Sequence, residues 1–226
     1  MNCCVGRRPL QNSLDLFAPP AAEPIAIGPD AWLLKGFANS QAEALLQLIN
    51  QIEQQAAFRN QVTPGGHTMA SQQTSCGSYG WITDRRGYRY STEDPLTAQP
   101  WPNMPALFHE LATQAATSVG FEHFDPQSCL INRYQTGAGM GLHQDKDEQD
   151  LTAPIVSVTL GAPITFLFGG PQRSDKPSRW LLEHGDVVVW GGISRLYFHG
   201  VAQLGKRASH SVTGAVRYNL TFRRVC

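Results

Sequence analysis

Residues 155–168 read IVSVTLGAPITFLF, and residues 186–190 and 217–223 read DVVVW and RYNLTFR. Each is a short run of β-branched and aromatic residues bounded by Gly, Pro or charged turn residues. CLINRY (129–134) and RLYFHGV (195–201) repeat the pattern, so the C-terminal half reads as strand after strand with no long helix. Short strands at this spacing indicate a sandwich or jelly roll, because a βαβ fold would need a helix in each connection. In RYNLTFR, Tyr218, Leu220 and Phe222 share one face and suit a core, while Arg217, Asn219, Thr221 and Arg223 share the other. That polar face is open between plain solvent exposure and a pocket for an anion, since arginine grips carboxylates bidentately. Asn132 and Tyr134 share a strand face in the same way.

Upstream, two helices are expected. Ser40 and Glu43 form a capping-box pattern, followed by an apolar face of Leu45, Leu48, Ile49, Ile52 and Ala56. The second helix is expected over Pro105–Val119, with Leu107, Phe108, Leu111 and Ala115 inward and Gly120 as the stop. Between them lies TPGGHTMASQQTSCGSYGWITDRRGYRYS (63–91), in which glycines break the alternation. It reads as short surface hairpins. Trp81, Tyr88 and Tyr90 stand among arginines there, either as ordinary hairpin packing or as a base-stacking lid. The expectation is an α+β, mainly β protein with a jelly-roll (double-stranded β-helix) core and two supporting helices. A loose extension over 1–29 precedes one catalytic domain over 30–226, with a lid at about 60–92 and the core at about 129–224.

Composition agrees. In 226 residues, 16% are charged and 42% hydrophobic, which is globular. No apolar run is long enough to span a membrane, and no apolar stretch follows the N-terminal arginines as a secretory signal would require. Five cysteines without a CxxC pair argue against a disulfide framework or a cysteine zinc site, and point to a reducing cytoplasm. Cys3 and Cys4 read as free thiols on the extension. Net charge is zero, which on its sum weighs against nucleic acid. The distribution is uneven: Arg59, Arg85, Arg86 and Arg89 face only Asp84, and Lys206, Arg207, Arg217, Arg223 and Arg224 face no acid. Basic segments thus flank the acid-rich stretch 145–150.

An iron site with open positions is built from two histidines and one carboxylate, and His-x-Asp on extended chain supplies two of these on one face. The tripeptide alone decides nothing. Seven histidines and ten aspartates predict roughly 0.3 occurrences by chance, and there are three. His123-Phe-Asp125 runs into Pro126 and reads as a loop. His184-Gly-Asp186 reads as a tight turn before a strand, with Asp186 bonding local backbone. His143-Gln-Asp145 sits after a glycine-rich approach and before a run of acids whose mutual repulsion calls for a cation or water. His199 is read as the end of the strand RLYFHG, separated from Asp145 by about the number of strands a jelly roll needs to return.

The ordered strings LINRY, HQDKDE, APIVSV, LEHGDVVVWGG, SRL and RYNLTFR resemble the AlkB family of Fe(II)/2-oxoglutarate dioxygenases, from about Leu14 to Arg224. The resemblance implies a jelly-roll core under a nucleotide-recognition lid, with His143, Asp145 and His199 as iron ligands and catalytic centre. It implies that 2-oxoglutarate is held by Asn132, Arg133, Tyr134, Arg217, Asn219 and Arg223, its remote carboxylate toward Arg223 and Arg217 nearer the iron. It implies a substrate site of Trp81, stacked on a flipped base, with Met69, Tyr88, Arg89, Tyr90, Asp147, Glu148 and Arg173. The implied reaction uses Fe(2+), 2-oxoglutarate and O2 to hydroxylate an N-methyl group of 1-methyladenine or 3-methylcytosine in DNA or RNA, releasing formaldehyde. A monomer acting on nucleic acid in the cytoplasm, without a membrane, is the corresponding expectation. The chain departs from the family's bacterial pattern at His67 and Gln73, where that pattern has Tyr and Met. A dioxygenase for another substrate and a non-catalytic damage binder are the competing readings. A zinc hydrolase is disfavoured by the lack of HExxH.

Overall fold

Side chains alternate across an extended strand, so a sheet with two different faces can carry a core on one and a site on the other. The computed structural model describes residues 23–226; Cys3 and Cys4 lie outside that range. In chain order the elements are β1 (Ile25–Gly28), β2 (Ala31–Leu34), α1 (Ala42–Gln55), β3 (Arg59–Val62), β4 (Thr68–Gly77), β5 (Gly80–Asp84) and β6 (Gly87–Ser91). They continue with β7 (Glu93–Asp94), β8 (Gln99–Pro100), α2 (Ala106–Thr117), β9 (Ser128–Tyr134), β10 (Met140–His143) and β11 (Ile155–Gly161). Last come β12 (Ile164–Phe168), β13 (Ser178–Leu182), β14 (Val187–Trp190), β15 (His199–Val201) and β16 (Arg217–Arg223). An eight-stranded sheet runs β1-β2-β14-β11-β16-β9-β4-β3, and a four-stranded sheet runs β10-β15-β12-β13. This is the jelly roll expected.

The large sheet separates two cores. Outward, Ile131, Val156, Val158, Leu220 and Phe222 pack against Leu45, Ile49, Ile52, Phe108 and Leu111 of the two helices. Inward, Ile155, Val188 and Trp190 meet Ile164, Phe166, Phe168 and Val201 of the small sheet. Register pins β16 between its neighbours: Asn219 lies opposite Asn132 on β9 and opposite Thr159 on β11. Residues of odd number on β16 therefore look into the space between the sheets, all of them 6% exposed or less. The solvent-facing reading of that strand is excluded.

Three local expectations are corrected. The Ser40/Glu43 capping box does not form. The chain enters α1 through a 3-10 turn, Asn39–Gln41, without a side-chain cap. Ala38 N–H is held by the Gly185 carbonyl at 2.9 Å, which leaves Ser40 inside the turn rather than at its extended entry. Gly185 itself (φ +83°) has no room for a Cβ beside Asn39. Second, 195–198 is not strand. A 3-10 turn at Gly192–Ser194 continues through a turn to Tyr197, and the strand begins at His199 instead of ending there. The buried Arg195 explains this, since its guanidinium must reach inward to Glu148, Ala153 and Asp145. Third, the lid is not wholly surface hairpins. β4 is ten residues long and pairs with β9 from Gln72 to Gly77 within the large sheet. Within the lid, the hairpin β5–β6 forms a separate two-stranded ribbon, and β7–β8 forms another just beyond it.

The two other His-x-Asp tripeptides are structural, as read. Asp186 accepts from Gly36 N at 2.8 Å, Glu183 N at 2.8 Å and Lys35 Nζ at 2.6 Å. Asp125 pairs with His109 at 2.8 Å beside the loop residue His123 (φ +60°).

Candidate active site

β10 and β15 are neighbours in the small sheet, and their register sets His143 directly opposite His199. Asp145 follows two residues after His143. Its Oδ1 lies 3.6 Å from His143 Nε2, and its Oδ2 lies 3.7 Å from His199 Nε2. Among the described residues these three alone form a His/Cys/Asp/Glu group able to hold a metal, with ligand atoms within 4.8 Å of one another. Each imidazole is oriented by its other nitrogen. His143 Nδ1 bonds the Gly141 carbonyl at 2.9 Å, and His199 Nδ1 bonds the Tyr197 carbonyl at 3.0 Å. A carbonyl only accepts, so both rings carry the Nδ1–H and turn Nε2 lone pairs toward Asp145. Burial and the nearby His143 push His199 down to about 4, which keeps it neutral and ready to ligate. Burial disfavours the Asp145 carboxylate, yet Arg223, His199 and His143 outweigh it and hold the carboxyl well below the usual range. Two imidazoles and one carboxylate on one side are the donor set of a facial Fe(II) site.

The cavity in front of the triad encloses about 440 Å³. Asn132, Tyr134, Arg217, Asn219 and Arg223 line its sheet side, and Met69, Trp81, Tyr88, Asp147 and Arg173 line its outer side. Arg217 is 1% exposed and bonds Thr159 Oγ1 at 2.9 Å, but its Nε and Nη1 are buried without a partner. Its guanidinium lies 5.0 Å from the Tyr134 ring centroid. A buried guanidinium with two donors unpaired among the described residues is suited to gripping an anion. Arg223 differs: it binds Asp145 Oδ2 through Nη2 at 2.7 Å and Nε at 3.1 Å. The expected orientation is therefore reversed. Arg223 stands at the metal end and Arg217 six residues along the strand at the far end.

Other expected residues fall outside the cavity. Arg133 points to the opposite face of β9, where it bonds Gln72 at 2.9 Å and Glu53 of α1 at 2.8 Å and lies over Phe58. Its neighbours 132 and 134 face inward, so alternation alone excludes 133. Arg133→Ala is expected to cost about 1 kcal/mol of stability and to leave the KM for 2-oxoglutarate unchanged; a tenfold rise in that KM would return Arg133 to the site. Tyr90 donates to Glu148 Oε1, and Glu148 also binds Arg195 at 3.0 Å and Arg223 at 3.3 Å. Glu148 is buried and Tyr90 half-buried, and both stand behind the triad rather than on the cavity wall. Tyr90→Phe should lower the unfolding free energy by about 1.5–3 kcal/mol, the typical contribution of a hydrogen bond to a charged group, as thermal melting would read. Arg89 is tied to Asp84 at 2.7 Å and 2.9 Å and stands beside the cavity rather than on its wall.

The acid run is dispersed by the fold. Asp145 goes to Arg223, Glu148 to Arg195, Asp147 to Trp81 Nε1 at 2.8 Å, and Asp150 to Arg224 at 3.3 Å. Trp81 also stacks on Tyr88, with centroids 5.5 Å apart and planes at 17°. The expected C-terminal basic segment dissolves too, since Arg217 and Arg223 are internal. Arg195 was missed as a functional support although SRL was read. Nothing local marks an arginine as buried; only its long-range partners do.

Residues 30–223 match the 2OG-Fe(II) oxygenase superfamily. Over 213 residues the chain is 55% identical to "Alpha-ketoglutarate-dependent dioxygenase AlkB" of Escherichia coli (strain K12), covering 93% of this chain and 97% of that protein. The chain belongs to the AlkB family. It is an Fe(II)- and 2-oxoglutarate-dependent dioxygenase, with O2 as the third reactant. A Caulobacter vibrioides relative, "Alpha-ketoglutarate-dependent dioxygenase AlkB homolog", is 40% identical over 204 residues, covering 90% of this chain and 91% of its own. A solved structure described as "The structure of OsALKBH1" superposes on this AlkB-family chain with TM-score 0.76 at 27% identity, covering 89% of this chain and all of the other. No described helix is long and apolar enough to cross a membrane.

Proposed function

We propose that this chain oxidatively demethylates N-alkylated bases of the 1-methyladenine and 3-methylcytosine type in DNA or RNA, as direct-reversal repair in the cytoplasm. The observation that carries this reading is one cavity with three kinds of wall: an imidazole and carboxylate triad, a buried guanidinium with donors unpaired among the described residues, and an aromatic lid. The names of relatives support it. Relatives in Schizosaccharomyces pombe and Homo sapiens are called "tRNA demethylase abh1" and "Nucleic acid dioxygenase ALKBH1".

His143, Asp145 and His199 would hold the iron. Arg217, beside Tyr134, would anchor the remote carboxylate of 2-oxoglutarate, with Asn132 and Arg223 toward its oxo-acid end. When bound, these groups supply the oxidation: one oxygen of O2 goes to the co-substrate, giving succinate and CO2, and one to the methyl C–H. The resulting N–CH2OH group breaks its C–N bond to give formaldehyde and the restored base. The protein's part is positioning. The base must leave its stack to reach so enclosed a site. Trp81 offers a flat face to a methylated base that is cationic, and Asp147, fixed to the indole, adds a negative charge that favours cation over neutral base. Arg85 and Lys146 make no ion pair among the described residues and can meet phosphates, whereas Arg86 and Arg89 are engaged with Asp84, and Arg173 donates to the Leu142 carbonyl at 2.6 Å and lies over Phe198.

Formaldehyde release from methylated single-stranded DNA, with and without 2-oxoglutarate, tests the proposal; no release with both cofactors present refutes it. Matched RNA oligonucleotides then separate the two polymers. Trp81→Ala should raise the KM for nucleic acid by roughly 5- to 150-fold, the equivalent of about 1–3 kcal/mol of base stacking. The KM for 2-oxoglutarate should stay within about twofold, and equal losses for both ligands would remove Trp81 from the base site.

A further inference from the structure

We infer that Gln73 is a specificity-determining residue whose amide oxygen accepts a hydrogen bond from the exocyclic amino group of the methylated base. The inference rests on the demethylase reading and deepens it. Gln73 sits on β4 opposite Asn132, is 1% exposed and lines the cavity. Its Nε2 donates to Asn132 Oδ1 at 2.9 Å, while its Oε1 is buried and accepts nothing. Native proteins seldom leave a buried acceptor empty unless a ligand or water fills it.

The direction of that amide is set by its neighbours. The Val158 carbonyl can only accept, so Asn219 must turn Nδ2 to it, at 3.0 Å. Asn219 Oδ1 is then an acceptor, taking the Thr221 hydroxyl at 2.9 Å and Asn132 Nδ2 at 3.5 Å. Asn132 consequently presents Oδ1 to Gln73, which spends its nitrogen there and leaves its oxygen unpaired among the described residues, on a side chain that lines the cavity. Bound 2-oxoglutarate would preserve this order. Its oxygens only accept, so beside Asn132 they take Nδ2 and leave Oδ1 where it is. For the same reason the co-substrate has no donor to offer Gln73. The other occupant of the cavity does. Adenine methylated at N1 and cytosine methylated at N3 carry an exocyclic N–H on the carbon beside the methylated nitrogen. Thymine methylated at N3 carries carbonyls on both sides and would set oxygen against oxygen. A site whose buried polar group is left unmatched rejects such an analogue.

The test compares kcat/KM for 3-methylcytosine and 3-methylthymine in one single-stranded oligonucleotide, using wild type, Gln73→Met and Gln73→Leu. The cytosine preference should shrink by about tenfold in both variants, the size of one hydrogen bond, mainly through loss on the cytosine lesion. A purely packing role would lower both substrates alike, and an unchanged ratio overturns the inference. A wild-type measurement guards against misfolded variants. An oligonucleotide bearing N3-methylated pyrimidin-2-one, which lacks only the amine, should react about tenfold more slowly than 3-methylcytosine; an undiminished rate also overturns it. Normal demethylation with an unchanged ratio defeats this inference alone. A wild type that releases no formaldehyde from any methylated base defeats the demethylase reading, and this inference with it.

Discussion

Asp145→Ala is expected to abolish 2-oxoglutarate turnover and formaldehyde release. Loss of an outer partner of a metal ligand typically costs about 10–100-fold in affinity or activity, and loss of the ligand itself should exceed about 100-fold. The same change should weaken the iron-free protein. Asp145 is the closest partner of the buried Arg223, at 2.7 Å, and only Glu148, at 3.3 Å, remains to offset that charge. Breaking a buried pair on one side costs about 3–5 kcal/mol, with the surviving Glu148 contact favouring the lower end. At about 2–4 °C per kcal/mol for a chain of this size, the melting temperature should fall by roughly 6–20 °C. Asp145→Asn, which keeps the shape, should lose activity as fully. Retained turnover in either variant would remove Asp145 from the metal centre.

Arg217→Met carries the second large effect, and its two parts have opposite signs. The KM for 2-oxoglutarate should rise by roughly two to nearly four orders of magnitude, the equivalent of the about 3–5 kcal/mol that deleting one member of a buried charge pair costs. Without co-substrate the variant should melt higher than wild type. Arg217 is internal, burial already pulls its pKa down, and two of its donors have no partner. Replacing such a charge by an apolar side chain of similar size is neutral or stabilising by about 1–4 kcal/mol. A lower melting temperature together with an unchanged KM would show that Arg217 is structural. Isothermal binding of 2-oxoglutarate and thermal melting of the ligand-free protein measure the two parts separately.

Much of the site was legible in sequence because strand alternation is a local rule. Asn132 with Tyr134, and Arg217 with Asn219, Thr221 and Arg223, share faces whatever the rest of the chain does, and the structure brings both sets into one cavity. The same rule, applied strictly, would have removed Arg133, which stands between two inward residues and reaches Glu53 instead. The helices were legible from their apolar faces. The capping box failed because a contact from distant Gly185 set the backbone before Ser40 could cap it. Acidic residues close in sequence were harder to read. Asp147 and Glu148 are adjacent, yet one is exposed on Trp81 and the other is buried on Arg195 and Arg223.

Sequence alone carried most strands of the C-terminal half, though not β10 or β13, together with the two faces of β9 and β16 and the identity of the side chains able to bind a metal and an anion. These follow from period-two geometry and from functional-group chemistry, both of which are local. The closed sheets set which end of β16 meets the triad, so that Arg223 pairs with Asp145 while Arg217, at the far end, has two donors unpaired among the described residues. Only the tertiary structure decided that Glu148 is a support, that His199 opens a strand rather than closes one, and that Gln73 turns its oxygen away from Asn132. Each of these depends on which distant group a buried charge or amide finds as its partner. Closure of two sheets sets that choice, and no local pattern encodes it.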